Sequence, residues 1–513
     1  MSQKHWSKKV WGWLASIVGV SLLLGACVQW ILQIGNFWMG FMAGSLLIFL
    51  ISSALFLSWK VAGGSRVLAW LMVAAFLIRL ILGVFLAWGL PRFGYEEKTQ
   101  QAGYVFEDAY RRDNEAWTLA QSDEPLTVAF SDAYGTDQYG GMLALSALIY
   151  RSISSDIHRP ILIVVLAAGV MALSLPFFYM TVRRRFGLQI AIISSLILAF
   201  YPEGVLLGSS QMREPFYIFF LTVIFWAGTL GLEQAKRKWV IPAAILSAAG
   251  LLLFSFRIAL PVFGAILFWV WFVIAGRTRK RWLKIVGWGV LVLVGGMIFL
   301  FFRDWVDAVI HWDTLETIRR SGMLQFQLEG IPESLHYPLV TVYGLFQPVL
   351  PAAIAAPAPC LWKGIGIFRS LGWYCVIPLL LYVFIRLWKN EPEKKRWLIA
   401  MAVVVGVWVL IASMRAGGDQ WDNPRYRTIF LPWVAILCGW GIRFARETKD
   451  RWLTRILVVE GIFLAFFTEW YLSRYLSSAL RLDLPVMILL ILILSVAVVV
   501  GGMLRDRAHS KTS

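Results

Sequence analysis

Long apolar stretches separated by short charged segments dominate the chain. About 20 helical residues cross a hydrocarbon core, so apolar runs of about 18 or more are read as spans. Fourteen such runs occur, at 10–33, 36–59, 66–90, 161–182, 188–207, 214–232, 238–256, 258–276, 282–302, 366–388, 397–414, 428–445, 452–472 and 484–504. The predicted fold class is an all-α polytopic membrane protein with about fourteen transmembrane helices. The first run follows Lys4, Lys8 and Lys9 and exceeds the ~7–15-residue core of a cleaved signal peptide, so an uncleaved anchor is expected. The apolar stretch 339–360 does not fit as a span. Pro338, Pro348, Pro351, Pro357 and Pro359 crowd it, and proline breaks helices. A broken or re-entrant external element is expected over 339–365.

Two connections are long. Residues 91–160 join the third and fourth spans, and residues 303–338 follow the ninth. Loops beyond ~12–15 residues are usually functional or disordered, and 91–160 is rich in aromatic and apolar residues. Within it, 106–120 has the helical period: Phe106, Tyr110, Trp117 and Ala120 share one face. An amphipathic helix lying in the membrane interface is expected there. A second, short apolar helix is expected from Met142 to Tyr150, opened by Asp137-Gln138-Tyr139-Gly140-Gly141. The expected organisation is 1–65 as two additional N-terminal spans, 66–338 as the main membrane module, the element 339–365, and C-terminal spans over 366–513.

Composition agrees with lipid as the solvent. Hydrophobic residues are 59% of 513, and charged residues are 15% against about 25% in soluble domains. The net charge of +18 acquires meaning through topology. If the N-terminus is cytoplasmic and the spans alternate, the cytoplasmic segments hold 28 basic and 6 acidic residues. The positive-inside rule favours that orientation, with both termini cytoplasmic in a multi-pass plasma-membrane protein. The excess charge then serves orientation, and no nucleic-acid partner is expected. Cys27, Cys360, Cys375 and Cys438 form no CxxC, and no Walker A, GxGxxG or HExxH sequence is present.

The chemistry is expected on the external side. Asp108 and Arg112, and Arg111 and Glu115, are spaced i,i+4, so solvated ion pairs account for much of this helix. Asp113 is different, because it shares a face with Tyr110 and Trp117, where a carboxylate is either functional or paired. Arg213-Glu214-Pro215 closes the next external turn, after Glu203, and Arg257 lies in the turn after that. Arg415, Arg425 and Arg427 sit in the last charged external loop. Arginines placed outside, against the positive-inside bias, are candidate anion ligands through their planar fork of donors. Asp304, Asp307, His311, Asp313 and Glu316 open the second long loop. Arg79 and Glu460 fall within spans, where a charge is functional or paired by default.

This arrangement resembles the GT-C superfamily of membrane glycosyltransferases over roughly 66–445, in particular the protein O-mannosyltransferase-like and aminoarabinose-transferase-like enzymes that use polyprenyl-phosphate sugars. The resemblance rests on four features. An early span leads to a large external loop carrying Glu107-Asp108 in GYVFEDAYRRDNEAW; Arg213-Glu214 follows in the next loop; a later loop spans 303–338; and Arg425-Tyr426-Arg427 precedes Pro432. It implies a glycosyltransferase moving a hexose or pentose from a polyprenyl-phosphate donor to a glycan, lipid or protein acceptor of the cell envelope. It also implies a base among Asp108, Asp113, Glu107 and Glu214, with Arg213, Arg257, Arg425 and Arg427 on the donor phosphate. A divalent metal, Mg or Mn, is compatible, although the first loop lacks DxD. Two spans (10–59) precede the family-like part, and the acid of the second loop is Glu. The alternatives are a multi-pass transporter and a lipid-linked-glycan flippase or polymerase. The sequence shows no pair of similarly interrupted spans in two halves, as repeat-built transporters have.

Overall fold

The computed structural model describes residues 2–131, 134, 140–233, 238–320, 332–389, 392–475 and 482–512, without the side chains of 2–11, 302, 304–320, 333, 389, 392–393 and 508–512. Among the described residues there is no strand. Eleven helices there are long and apolar enough to cross a membrane, and thirteen spans result if each of two bent helix pairs counts as one. The protein is an all-helical, multi-pass membrane protein. The chain forms two compact units, Met1–Ile274 and Ala275–Ser513.

In the first unit, α1 (Ser2–Leu32) and α2 (Phe37–Val61) form a hairpin. Asn36 opens α2 by accepting the backbone N–H groups of Trp38 and Met39 at 2.9 and 3.2 Å, which satisfies two donors that have no partner inside the helix. Next come α3 (Arg66–Phe93), the short α4 (Lys98–Gln101), α5 (Glu107–Gln121) and α6 (Gly141–Ile153). The enclosed span α7 (Ile161–Phe186) packs against α2, α3, α8 (Leu188–Phe200) and α10 (Glu214–Leu232). Between the last two lies α9 (Pro202–Gly208), bent 53° from α8. Pro202 has no N–H to offer Leu198, so the span 188–207 breaks there.

One expected span changes character. Residues 238–256 form α11 (Val240–Phe254), whose 15 residues reach about 22 Å at 1.5 Å per residue, short of a ~30 Å core. It ends at Ser255, whose hydroxyl accepts the N–H of Ile258 at 3.2 Å and so starts α12 (Phe256–Arg277).

In the second unit, α13 (Arg281–Arg320) runs 40 residues, well past the expected end of its span at 302. Asp304, Asp307, His311, Asp313 and Glu316 lie on this extension, and their side chains are outside the described set. The proline-rich stretch holds two short helices, α14 (Glu333–Leu345) and α15 (Leu350–Ala355), interrupted at 346–349. Then follow α16 (Cys360–Arg386), α17 (Pro392–Arg415), α18 (Asp422–Thr428), α19 (Leu431–Thr448), α20 (Arg451–Tyr475) and α21 (Leu484–Thr512). The helices α18 and α19 meet at 73°. Among the described residues, each unit therefore contains one bent helix pair, 13 plus 7 residues in the first and 7 plus 18 in the second.

Candidate functional site

The first unit gathers the candidate residues of three connections. Its foundation is Arg79 on α3, which is fully buried. A guanidinium inside a span needs acceptors, and the break between α8 and α9 supplies them. Nη1 donates to the Ala199 carbonyl at 2.9 Å and Nε to the Gly204 carbonyl at 3.3 Å. Nη1 also reaches the Ala75 carbonyl, one turn back on its own helix, at 2.8 Å. Ala199 is the last but one residue of α8, where carbonyls run out of helical donors. The broken backbone thus meets part of the intramembrane charge, through Nε and Nη1, while Nη2 is buried without a hydrogen-bond partner. Gly208 permits the approach, since a Cβ there would stand 2.5 Å from Arg79 Cδ.

The helix α5 is tied to the turn that follows α9. Phe106, at its start, is buried together with Ala109, Ala116, Leu119 and Ala120, while Glu107 and Arg111 face outward as a 3.9 Å surface pair. Arg112 is only 2% exposed and donates from Nη2 to the Gln211 carbonyl at 2.5 Å. That bond joins α5 to the turn carrying Arg213 and Glu214. At the other end, Arg151 of α6 donates to the carbonyls of Leu119 (2.7 Å), Ser122 (3.0 Å) and Glu124 (2.9 Å). A cation on the exposed carbonyls of a helix C-terminus also meets its negative dipole end.

Asp113 is paired rather than open. It is 2% exposed and accepts from three side chains. Tyr104 donates to Oδ2 at 2.6 Å, and the Tyr150 hydroxyl lies 2.8 Å from both oxygens. His158 Nε2 lies 3.1 Å from Oδ2. Trp117 stacks on the imidazole at 5.3 Å, and Tyr150 meets its face edge-on at 4.9 Å. Burial, and then the charge of Asp113, push the hydroxyls of Tyr104 and Tyr150 well above the ordinary tyrosine value, so both remain donors.

The other acids differ in access. Asp108 is half-buried, and one of its oxygens accepts the Ala109 N–H at 3.0 Å. Glu203 and Glu214 are buried, at 1% and 2% exposure. Glu107 is 73% exposed. Arg213 and Arg257 are partly exposed. Their connections adjoin: Phe216, just after the Arg213 turn, stacks on Phe254 at 4.7 Å, two residues ahead of the start of α12. Gly141, at the start of α6, abuts the Leu253 carbonyl. Asp137, Gln138 and Tyr139 lie outside the described residues. Among the described residues no group of three or more His, Cys, Asp or Glu is placed to hold a metal.

Arg425 and Arg427 belong to the second unit and are mostly engaged with it. Arg425 pairs with Asp422 at 3.2 Å. Arg427 donates to the carbonyls of Leu345 (3.4 Å) and Gln347, and its guanidinium covers Trp373 at 3.8 Å. Arg415 lies over Tyr426 at 4.3 Å. Arg369 of α16, which the sequence did not single out, donates to the Gln420 carbonyl at 3.0 Å and stacks on Trp421 at 4.2 Å. His158, Tyr104, Tyr150 and Arg151 are further absentees from the sequence reading. Their partners stand 9 to 45 residues away, beyond any periodic signal.

No protein-family model matches the chain, and no curated protein matches it. Among solved structures, it is similar to the archaeal oligosaccharyltransferase AglB from Archaeoglobus fulgidus, in complex with an inhibitory peptide and a dolichol-phosphate, with TM-score 0.35 and 14% identity. The match covers 86% of this chain and 56% of that one, so this chain spans just over half the length of that protein. A likeness this distant assigns neither a family nor an activity.

Proposed function

We propose that the protein is a membrane glycosyltransferase that moves a sugar from a polyprenyl-phosphate donor to a glycan, lipid or protein acceptor on the external side of the plasma membrane, with both termini cytoplasmic. The observation that carries this reading is the position of Asp108. Among the candidate acids it alone combines partial exposure with a held backbone. It precedes by one helical turn the buried Arg112, whose bond to Gln211 fixes α5 to the turn bearing Arg213. Asp113 and Glu214 are too enclosed to meet an acceptor, and Glu107 points to solvent.

In this mechanism Asp108 takes the proton from the acceptor hydroxyl or amine, for which it needs an approach of ~2.6–3.2 Å. The acceptor atom bonds to the anomeric carbon as the bond from that carbon to the phosphate oxygen breaks, and polyprenyl phosphate leaves. Arg213, with Arg257 from the adjoining turn, stabilises the charge developing on that oxygen. Arg425 and Arg427 are assigned to shaping the second unit. The test is release of free polyprenyl phosphate from a panel of polyprenyl-phosphate sugars in proteoliposomes. Asp108→Asn is expected to abolish release without lowering expression or thermal stability. Near-normal release by that variant would remove Asp108 from the chemistry.

One observation favours a transporter or flippase as a second reading, namely the broken span in each unit. In such proteins the freed carbonyls at the breaks coordinate substrate ions. Here protein donors reach carbonyls beside both breaks: Arg79 holds that of Ala199, and Trp408 Nε1 donates to that of Tyr426 at 2.8 Å. Translocation of a labelled polyprenyl-phosphate sugar across proteoliposomes, without release of polyprenyl phosphate, would favour this second reading.

A further inference from the structure

We propose that the segment 154–159 is a positioning clamp on α5, in which His158 acts through Asp113 and the tip of the α1–α2 hairpin braces His158 from behind. The clamp rests on the glycosyltransferase reading only for its consequence in transfer, since the contacts themselves lie within the first unit.

An ionised carboxylate only accepts hydrogen bonds, so the ring nitrogen facing Asp113 carries the proton. Nε2–H therefore points at Oδ2, while Trp117 and Tyr150 fix the plane of the ring. Trp117 and Asp113 are both on α5, one turn apart, so His158 grips the helix at two points of one face. Around the pair stand Tyr104 from the segment before α5, Tyr110 and Arg112 from α5, and Tyr150 from α6. The hairpin tip supplies no titratable group.

The grip needs a fixed base, and the flanking residues provide one. Arg159 is buried and makes a two-pronged contact with Asp156, with Nη1–Oδ1 at 2.5 Å and Nη2–Oδ2 at 2.7 Å. Its Nη1 also donates to the Ser154 hydroxyl at 2.6 Å, and Ser154 donates to the Ile157 carbonyl at 2.8 Å. The segment is thus closed on itself. It rests on Gly35, which has φ +65°, and a Cβ there would stand 2.9 Å from Ile157 Cγ2 and 3.3 Å from Arg159 Nη2. Gln29, through its bond to the Ile34 carbonyl at 3.0 Å, ties that tip to α1. Through this continuous path from the hairpin to α5, the two additional N-terminal spans set the helix that carries Asp108 and Arg112.

His158→Ala, His158→Gln and Gly35→Val test this in the full-length protein in proteoliposomes. Gln places a donor where Nε2–H stands, so it restores the grip without an imidazole. Hydrogen exchange of the α5 amides reads the clamp with no substrate present. His158→Ala and Gly35→Val are expected to speed exchange over 107–121, and His158→Gln to leave it unchanged. With a polyprenyl-phosphate sugar, kcat is expected to fall by about 10- to 100-fold in His158→Ala and to recover in His158→Gln, with KM for the donor little changed. Unaltered exchange in both His158→Ala and Gly35→Val would overturn the clamp, whatever the chain transfers. Wild-type exchange with lost transfer in His158→Gln would overturn it as well, since the imidazole would then serve chemistry. Should wild-type protein release no polyprenyl phosphate, the transfer reading fails while exchange still decides the clamp.

Discussion

Asp113→Asn separates the two aspartates of α5 by role. The substitution keeps shape and removes charge. The native carboxylate receives Tyr104 at 2.6 Å, Tyr150 at 2.8 Å and His158 at 3.1 Å, all inside a site that is 2% exposed. An amide offers one oxygen, and its NH2 group is a donor facing donors. One of the three partners therefore loses its acceptor, at about 1–3 kcal/mol. The other two change from charged to neutral hydrogen bonds, at about 1 kcal/mol each. Relief of carboxylate burial offsets part of this, and a net loss of about 2–4 kcal/mol is expected. Unfolding of detergent-solubilised protein by dodecyl sulfate measures it. Tyr104→Phe removes the same hydrogen bond from the other side, so the double variant should fall short of additivity by about 0.5–3 kcal/mol. Asp108→Asn should change stability by less than Asp113→Asn, because its carboxylate is half-buried rather than enclosed. Wild-type stability in Asp113→Asn, or strict additivity with Tyr104→Phe, would refute the structural role of this cluster.

Three further outcomes follow from neighbouring contacts. Arg151→Ala should lower stability by about 1–3 kcal/mol and expose the end of α5 to protease near Ser122, because it removes the donors to Leu119, Ser122 and Glu124; an uncut 119–124 segment would contradict this. Tyr104 and Tyr150 have raised values in the fold, so their contribution is complete below the ordinary tyrosine value and is lost as pH rises through the raised values. An ultraviolet titration should show the wild type to have two more late-ionising tyrosines than a Tyr104→Phe/Tyr150→Phe double variant, and a difference confined to the ordinary tyrosine range would count against their burial on Asp113. Asp450 behaves oppositely. Burial opposes its charge, but hydrogen bonds from Arg386, with Nη2 at 2.8 Å, hold its carboxyl below the ordinary value, so its contribution is present above that value and lost as pH falls through the lowered one. Asp450→Asn should flatten the acid limb of the stability curve, and an unchanged limb would show that the Arg386 contact contributes nothing.

What could be read from sequence divides by the range of the interaction. Span placement depends on runs of apolar residues, a local property, and every one of the fourteen runs is helical over most of its length. The failures came where local composition does not fix length or straightness. Residues 238–256 are apolar enough to span, yet Ser255 interrupts the helix by capping its successor. Residues 188–207 break at Pro202, a residue visible in the sequence, but tolerance of that break depends on Arg79, about 120 positions earlier. The same separation governs the site. The amphipathic period correctly put Phe106 and Ala120 on the buried side of α5 and marked Asp113 as anomalous. It also read Arg112 as half of a solvated i,i+4 pair, whereas its guanidinium is buried on the Gln211 carbonyl 99 positions away. A period describes one helix and is silent about what covers it.

The two charges that sequence alone left unexplained, Arg79 within a span and Asp113 on an apolar stripe, turn out to have one physical logic. Each is a buried ion whose counterpart is a set of dipoles. Arg79 meets backbone carbonyls, of which that of Ala199 is released by the break between α8 and α9, and Asp113 meets hydroxyl and imidazole donors from three separate segments. Such arrangements hold geometry more tightly than an ion pair at the surface, because removing any partner leaves a charge or a dipole unmet in a low-dielectric interior. Together they anchor the two sides of one region: Arg79 secures the turn that leads to Arg213, and Asp113 secures the helix that bears Asp108. Arg112 links the two. If Asp108 and Arg213 act as proposed, the rigidity that holds them in register is built from residues that do not themselves face the substrate.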